Sequence, residues 1–434
     1  LKYADGWPQA KQVNATALFE GPGMYVEASV GSTMGVEVDR VTASIGDFKK
    51  PVLDVSYQTK TELPDLIGFI KQTPLLDNLD LDPDQFVLTG ESSLTGQLHT
   101  GLGNSADPLQ VNGSLELNGA RFTDRASGIM IEDITGTLDY SRDGLEAVDL
   151  PSSYRGYPVA LDVSSDWDAE EVFRARINGN LPVETVVPEE LLELEPMFAR
   201  ATGSSRWDVN ISVASAEGSE EKEIWLNVYS GLEGVSIDLP APLEKAAGSS
   251  RPFLVRYPIR AEQHIVTADF LSQIQIQMEL SEEGSRPTRA AVQLGGQVEA
   301  LPDEGLFIIN GDTPAFDLDG WVDLAIDRFA DSEEDEGLTI RTANVDAGQV
   351  KIFDRQFDDV QLNMSYRNGI IKGDFDGPDI FGNVHYYKNE EGAHSMSAEF
   401  ERLVVPDALA DGLTMESDPA ELPEMHFYSK DFNY

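Results

Sequence analysis

A period of two constrains this chain more than any other feature. In "QIQIQMEL", Ile274, Ile276, Met278 and Leu280 alternate with Gln273, Gln275, Gln277 and Glu279. Successive side chains of a strand point to opposite faces, so this segment has an oily face and a wet one. In "VNGSLELNG", Val111, Gly113, Leu115 and Leu117 oppose Asn112, Ser114, Glu116 and Asn118. In "VQLNMSYRNG", Val360, Leu362, Met364 and Tyr366 oppose Gln361, Asn363, Ser365 and Arg367. "EIWLNVYS" groups Ile224, Leu226 and Val228, although Trp225 and Tyr229 make its other face less polar. Whatever covers these oily faces decides what the protein does.

Turn signals punctuate the alternation: Asn-Gly at 112–113, 118–119, 178–179, 310–311 and 368–369, and Asp-Gly at 143–144 and 319–320. These pairs supply the positive φ of tight hairpins. Many two-faced strands with such turns predict a mainly β protein built as an elongated, curved antiparallel sheet. Helical spacing is confined to "LPDLIGFIKQTPLL" from Leu63, a helix at 186–199 in "VETVVPEELLELEPMFARATG", and a short stretch after Pro406. No fixed-period repeat is present. The chain reads as one segment, 1–434, of something longer, with soft boundaries near 214–222 and 330–337.

Composition excludes several function classes. The formal net charge of −46 repels phosphate backbones and anionic headgroups, so no nucleic-acid partner is expected. With 41% hydrophobic residues the chain can bury a core. It has no cysteine, hence no disulfide or thiolate chemistry. No stretch approaches the roughly 20 apolar residues that span a bilayer.

No catalytic motif, metal site or cofactor site stands out. His99, His264, His385, His394 and His426 form no helical pair and no Ser/His/Asp arrangement. "DFDGPD" (374–379) and "DLDPD" (80–84) resemble calcium loops, but His385 stands where the first needs its bidentate Glu. Among 77 acidic residues such clusters arise by chance, and solvated turns are the expectation. No pair of carboxylates is singled out for glycan hydrolysis.

Several segments resemble the YhdP branch of the AsmA-like superfamily of Gram-negative envelope proteins. They are "WPQAKQVNATALFEGPGMYVEA" (7–28), with its Phe-x-Gly-Pro-Gly turn, and "VYSGLEGVSIDLPAPLEKAAG" (228–248), the most specific. "PAFDLDGWVDL" (314–324) and "AGQVKIFDRQFDDVQLNM" (347–364) are similar to the branch's later strand pairs, and "GNVHYYKNEEGAHSMSAEFERLVVP" (382–406) to a closing pair. The branch's amino-terminal membrane helix is not present in the sequence. The resemblance implies a bridge-like lipid transfer protein, anchored in the inner membrane, with this segment in the periplasm. Its partners would be phospholipid acyl chains and, through parts outside this segment, the inner and outer membranes.

On that implication, the groove-lining candidates are Leu115, Leu117, Ile274, Ile276, Met278, Leu280, Val360, Leu362 and Met364. Alternation alone leaves two answers open. A second sheet would cover the oily faces in a sandwich; acyl chains would cover part of them in a conduit. An envelope scaffold without a conduit is the alternative function.

Overall fold

In the computed structural model the described residues are 8–9, 11–72, 86–103, 107–125, 128–166, 169–187, 199–215, 222–270, 273–281, 286–329, 339–352, 354–367, 370–388, 394–404, 424–430 and 432–433. They form twenty-six strands and three short helices. The chain divides into two units. Unit 1 holds residues 1–181, 206–226 and 259–261; unit 2 holds 182–205, 227–258 and 262–434.

Unit 1 begins with β1 (Lys11–Glu20), β2 (Gly23–Thr33), β3 (Val36–Ile45) and β4 (Val52–Glu62), then α1 (Leu63–Lys71). It continues with β5 (Phe86–Gly101), β6 (Gln110–Asp124), β7 (Met130–Ser141), β8 (Leu145–Tyr154), β9 (Tyr157–Ser165) and β10 (Glu171–Pro182). Each strand pairs antiparallel with the next, from β1 to β10. Two connections are two-residue turns with both φ values positive: Met34-Gly35 (52° and 89°) and Arg155-Gly156 (49° and 83°). That is the type I′ geometry whose twist matches the strands it joins.

The Asn-Gly pairs turn out differently. Asn112-Gly113 and Asn178-Gly179 lie inside β6 and β10, and Asn118-Gly119 sits at a register shift of β6. Only Asp143-Gly144, of the expected turns, connects two strands among the described residues; Asn368-Gly369 falls outside them. A strand glycine serves a bulge or a close approach as readily as a turn.

The chain goes on through β11 (Ala201–Ser215), β12 (Lys222–Ser230), β13 (Val235–Ile237), β14 (Phe253–Arg260), β15 (Ile265–Phe270), β16 (Ile274–Leu280) and β17 (Pro287–Leu294). After these come β18 (Leu306–Thr313), β19 (Phe316–Asp317), β20 (Thr339–Ile352), β21 (Arg355–Arg367), β22 (Ile370–Asp376), β23 (Ile380–Lys388), β24 (His394–Val404), β25 (Glu424–Ser429) and β26 (Phe432–Asn433). Ladders β14 to β17 and β20 to β24 are antiparallel. The pairs β17–β18, β18–β20, β19–β20, β24–β25 and β24–β26 are parallel. The fold is therefore mainly β, but mixed rather than antiparallel throughout. A parallel pair needs a connection that crosses the sheet, and a period-two pattern carries no sign of one.

The helices follow from local signals. The α1 helix starts at Leu63-Pro64, carries Asp65 in its first turn and Lys71 in its last, and buries Leu63 and Leu66; each feature favours the end it occupies. Of the predicted helix 186–199, only the short α2 (Val183–Val186) touches it; residues 188–198, the stretch after Pro406, and segments 216–221 and 330–338 lie outside the described residues. The third helix, α3 (Leu318–Phe329), was expected as strand and turn. Instead Asp317 Oδ1 accepts the Gly320 N–H at 3.1 Å, an N-cap bond that starts a helix through the Asp-Gly pair.

The segment with the most specific motif clamps α3. Ala241 O accepts the Trp321 indole N–H at 2.9 Å and the Asp317 backbone N–H at 3.2 Å, and Leu243 packs against the unit 2 core. Lys245 is buried; its ammonium donates to Val235 O at 2.7 Å and Ala246 O at 3.1 Å. Burial pushes its pKa down, with the Arg251 charge adding to the shift.

Candidate functional site

One face of unit 1 is an apolar strip in register across the strands. In the first row, Val26, Ala43, Val55, Leu98 and Val111 are successive neighbours on β2 to β6. Two residues further along, Val41, Tyr57, Gly96, Gly113, Tyr140 and Leu145 are neighbours on β3 to β8. A third row holds Thr59, Leu94, Leu115 and Leu138. The strip extends through Leu161 and Val163 of β9 to Ile177 and Ala175 of β10. The alternate positions are polar: Asp54, Ser56 and Gln58, then Thr95, Gln97 and His99, then Asn112, Ser114 and Glu116.

The strip is half-covered. Val55, Leu94, Leu98, Val111, Leu115, Leu138, Leu145, Leu161, Val163 and Ile177 are all only partly buried. A sandwich would close such positions against a second sheet. The fully buried apolar cluster of this face lies where α1 sits: Leu63 and Leu66 pack with Leu117, Ala120, Ile131, Ile134, Ala147 and Leu150. Leu94, Leu115, Leu138, Leu161, Val163 and Ile177 pack against the edge of that core, so the strip is a partly covered apolar surface continuous with it.

The middle row carries a bridge. Tyr57 and Tyr140 reach toward each other over Gly96 and Gly113, their hydroxyls 2.7 Å apart. Tyr140 donates to Thr95 O at 3.1 Å, which makes Tyr57 the donor to Tyr140. A Cβ on Gly96 would lie 2.4 Å from the Tyr140 hydroxyl and 2.5 Å from that of Tyr57. Burial pushes both phenol pKa values above their ordinary value.

The nine candidates divide between the two units. Leu115 and Leu117 belong to unit 1, the former on the strip, the latter 7% exposed beneath α1. The other seven are in unit 2. Ile274, Val360 and Leu362 are 4%, 1% and 1% exposed and sit in a core with Val345, Val350, Phe375 and Phe400. Ile276 and Met364 are partly buried against that core, and Met278 and Leu280 are partly buried as well. Strip residues Val55, Tyr57, Leu94, Leu98, Val111, Leu138 and Tyr140 were not among the candidates. Their signal was the same alternation, in "LDVSYQTKT", "SSLTGQLHT" and "TGTLDYS".

The wet face of β16 needs correcting. Gln275 is buried: its Oε1 accepts the Val298 N–H at 2.8 Å, and its Nε2 donates to Asp269 Oδ2 at 3.4 Å. Val298 belongs to the connection between the parallel strands β17 and β18, which passes over this side of β16. Gln277 is partly buried and Gln273 exposed.

No group of three His, Cys, Asp or Glu side chains gathers to hold a metal among the described residues, and no helix there is long and apolar enough to cross a membrane. On the polar face of β21 to β25, a concavity of about 550 Å³ is lined by Asn363, Asp374, Asp376, Asn383, Glu399 and Tyr428 among others. Phe375, Phe381 and Phe400 complete its lining, so the concavity mixes carboxylates and amides with aromatic carbon.

The "Intermembrane phospholipid transporter YhdP" of Escherichia coli (strain K12) is 24% identical over 247 residues, which are 56% of this chain and 19% of that protein. The match thus spans about a fifth of the relative's length. No solved structure matches. The family model described as YhdP protein matches residues 1–434, so the chain belongs to the YhdP family.

Proposed function

We propose that this chain is a periplasmic section of a lipid-transfer bridge, and that the apolar strip of unit 1 carries phospholipid acyl chains between the inner and outer membranes. The bridge would thereby support the outer-membrane barrier. The observation that carries this reading is the half-exposed strip from β2 to β10, backed by a polar opposite face. Laying an acyl chain of ~15 methylenes on such a strip, at ~0.8 kcal/mol each, is worth roughly 12 kcal/mol before entropy costs. The headgroup would stay in water, so no buried counter-charge is needed, and the chain's strong negative charge is no obstacle. Transfer of this kind breaks no bond and calls on no catalytic residue.

In unit 2 the proposed contacts are the partly exposed Ile276, Met278, Leu280 and Met364, with Ile274, Val360 and Leu362 as the wall beneath them. In unit 1 Leu115 meets lipid, and Leu117 closes the strip under α1. Native mass spectrometry of the purified chain tests the reading. Adducts of phospholipid mass should survive gentle ionisation and disappear in Leu98→Asp. A lipid-free chain whose strip is instead covered by a bound protein would favour a scaffold.

A further inference from the structure

We infer that the Tyr57–Tyr140 bridge sets the clearance above the lipid strip, and that Gly96 is a glycine so that the bridge can lie flat. The inference rests on the proposed lipid-carrying role of the strip.

Four strands contribute to the arrangement in strict register: Tyr57 on β4, Gly96 on β5, Gly113 on β6 and Tyr140 on β7. The two hydroxyls meet 2.7 Å apart above the glycines. The Tyr57 Cζ would be 2.6 Å from a Cβ on Gly96; a Cβ on Gly113 would lie 2.2 Å from the Thr95 carbonyl oxygen as well as 2.5 Å from the Tyr140 Cζ, so backbone and ring together exclude one there. Real Cβ atoms do not approach so closely, so the phenol ends occupy space that any other residue would fill. Leucines would be the simple choice for a purely apolar floor, as the neighbouring rows with Leu94, Leu98 and Leu115 show. The middle row instead has two long rings held down by hydrogen bonds.

The bonding accounts for both protons. Tyr57 donates to Tyr140, and Tyr140 donates to the Thr95 carbonyl. No phenol proton is left to hold a headgroup phosphate. The floor is therefore low and non-adhesive: it leaves room for acyl chains without trapping their headgroups. A ring released from this chain of bonds would swing up into the path, because staggered alternatives at χ1 point away from the sheet.

The test uses vesicles of phosphatidylcholine carrying a pyrene-acyl phosphatidylcholine, a zwitterionic surface that does not repel an acidic protein. Uptake by the whole chain is read as the change from pyrene excimer to monomer emission. Gly96→Ala is the main variant: the three atoms nearest its new methyl all belong to the phenol ends. The inference predicts that uptake falls severalfold, as the new methyl lifts the phenol ends into the path, with the fold retained and the melting temperature lowered by no more than the overpacking of one methyl. Adding Tyr57→Leu and Tyr140→Leu, whose side chains end short of residue 96, should restore uptake. A merely structural bridge predicts the reverse, a further loss. Tyr57→Phe adds no atom and removes the bond that holds the ring; it should lower uptake severalfold, and it decides the matter if Gly96→Ala does not fold. Unchanged uptake in the folded variants overturns the inference while leaving lipid carriage intact. Absence of uptake by the unaltered chain overturns lipid carriage itself.

Discussion

Leu115 of unit 1 and Leu362 of unit 2 occupy the same kind of place: an apolar residue on an alternating strand, flanked by neighbours of the same kind on both sides. Leu115 is half-exposed, whereas Leu362 is 1% exposed. The difference lies in what the chain supplies to cover each face. In unit 2, α3 contributes Leu318 and Val322, the 240s segment adds Leu243, and β16 and β17 add Ile274 and Leu294 to one core. In unit 1, α1 covers the region around Leu117, and the rows of Leu94, Leu98 and Val111 are left partly open. Period-two alternation prescribes an oily face; longer-range elements decide whether that face is filled by protein or left for a ligand.

The largest expected contrast is a matched pair of charges. Val360→Asp places a carboxylate at a position 1% exposed within an apolar core, and should cost about 4 kcal/mol or more. Chemical denaturation would show unit 2 unfolding early. Leu98→Asp can turn its carboxylate to water and should cost about 1 kcal/mol while abolishing lipid binding. Similar losses of stability in both variants would erase the distinction between the units.

Truncations sharpen the same contrast. Phe400, 1% exposed and packed at a tilt against Phe375 with ring centroids 6.5 Å apart, should lose about 3–5 kcal/mol as Phe400→Ala. Leu98→Ala on the strip should lose about 1 kcal/mol, since less of the side chain is enclosed. Denaturant midpoints at constant slope measure both.

A smaller effect comes from the covered polar side of β16. Gln275→Glu puts a carboxylate against Asp269 and should cost about 1–3 kcal/mol at neutral pH. Burial and the Asp269 charge would raise the pKa of the introduced acid in the folded state above its unfolded value. The penalty should therefore shrink as pH falls, and melting temperatures of variant and parent should converge on acidification. A variant as stable as its parent at neutral pH would mean that this side is wet after all.

The smallest effect concerns Glu279, whose carboxylate accepts from Arg289 Nε at 2.5 Å. The hydrogen bond from Arg289 holds the Glu279 pKa below its ordinary value. A depressed folded pKa adds stability that is present above the unfolded carboxylate pKa and lost as pH falls through the folded one. Both side chains are about a third exposed, so solvent screens the pair and the contribution is slight. Glu279→Gln should lower the melting temperature a little at neutral pH and not at all in acid.

Much of the fold was legible residue by residue. Leu115 and Leu117, or Val360 and Leu362, lie on the inner faces that alternation assigned them, and α1 forms where helical spacing placed it. What escaped depends on partners distant in the chain. Tyr57 and Tyr140 are 83 residues apart, and their meeting follows from the register of three strand pairs that no local window contains. Gln275 looked wet because its cover arrives through a connection that only a parallel pair requires. Gly113 sits in an Asn-Gly pair, yet its lack of a side chain makes room for a tyrosine ring rather than a turn. The start of α3 was there to be read, since Asp317 followed by Leu318, Trp321 and Val322 combines an N-cap with helical spacing.

Face-resolved crosslinking tests the central claim most directly. A photoreactive diazirine side chain is placed at 98 or 115 on the strip, and at 97 or 116 on the opposite face, in the whole chain exposed to phospholipid vesicles. The account predicts phospholipid captured at 98 and 115 and not at 97 and 116. Equal capture on both faces, or none at 98 and 115 in a correctly folded protein, would contradict it.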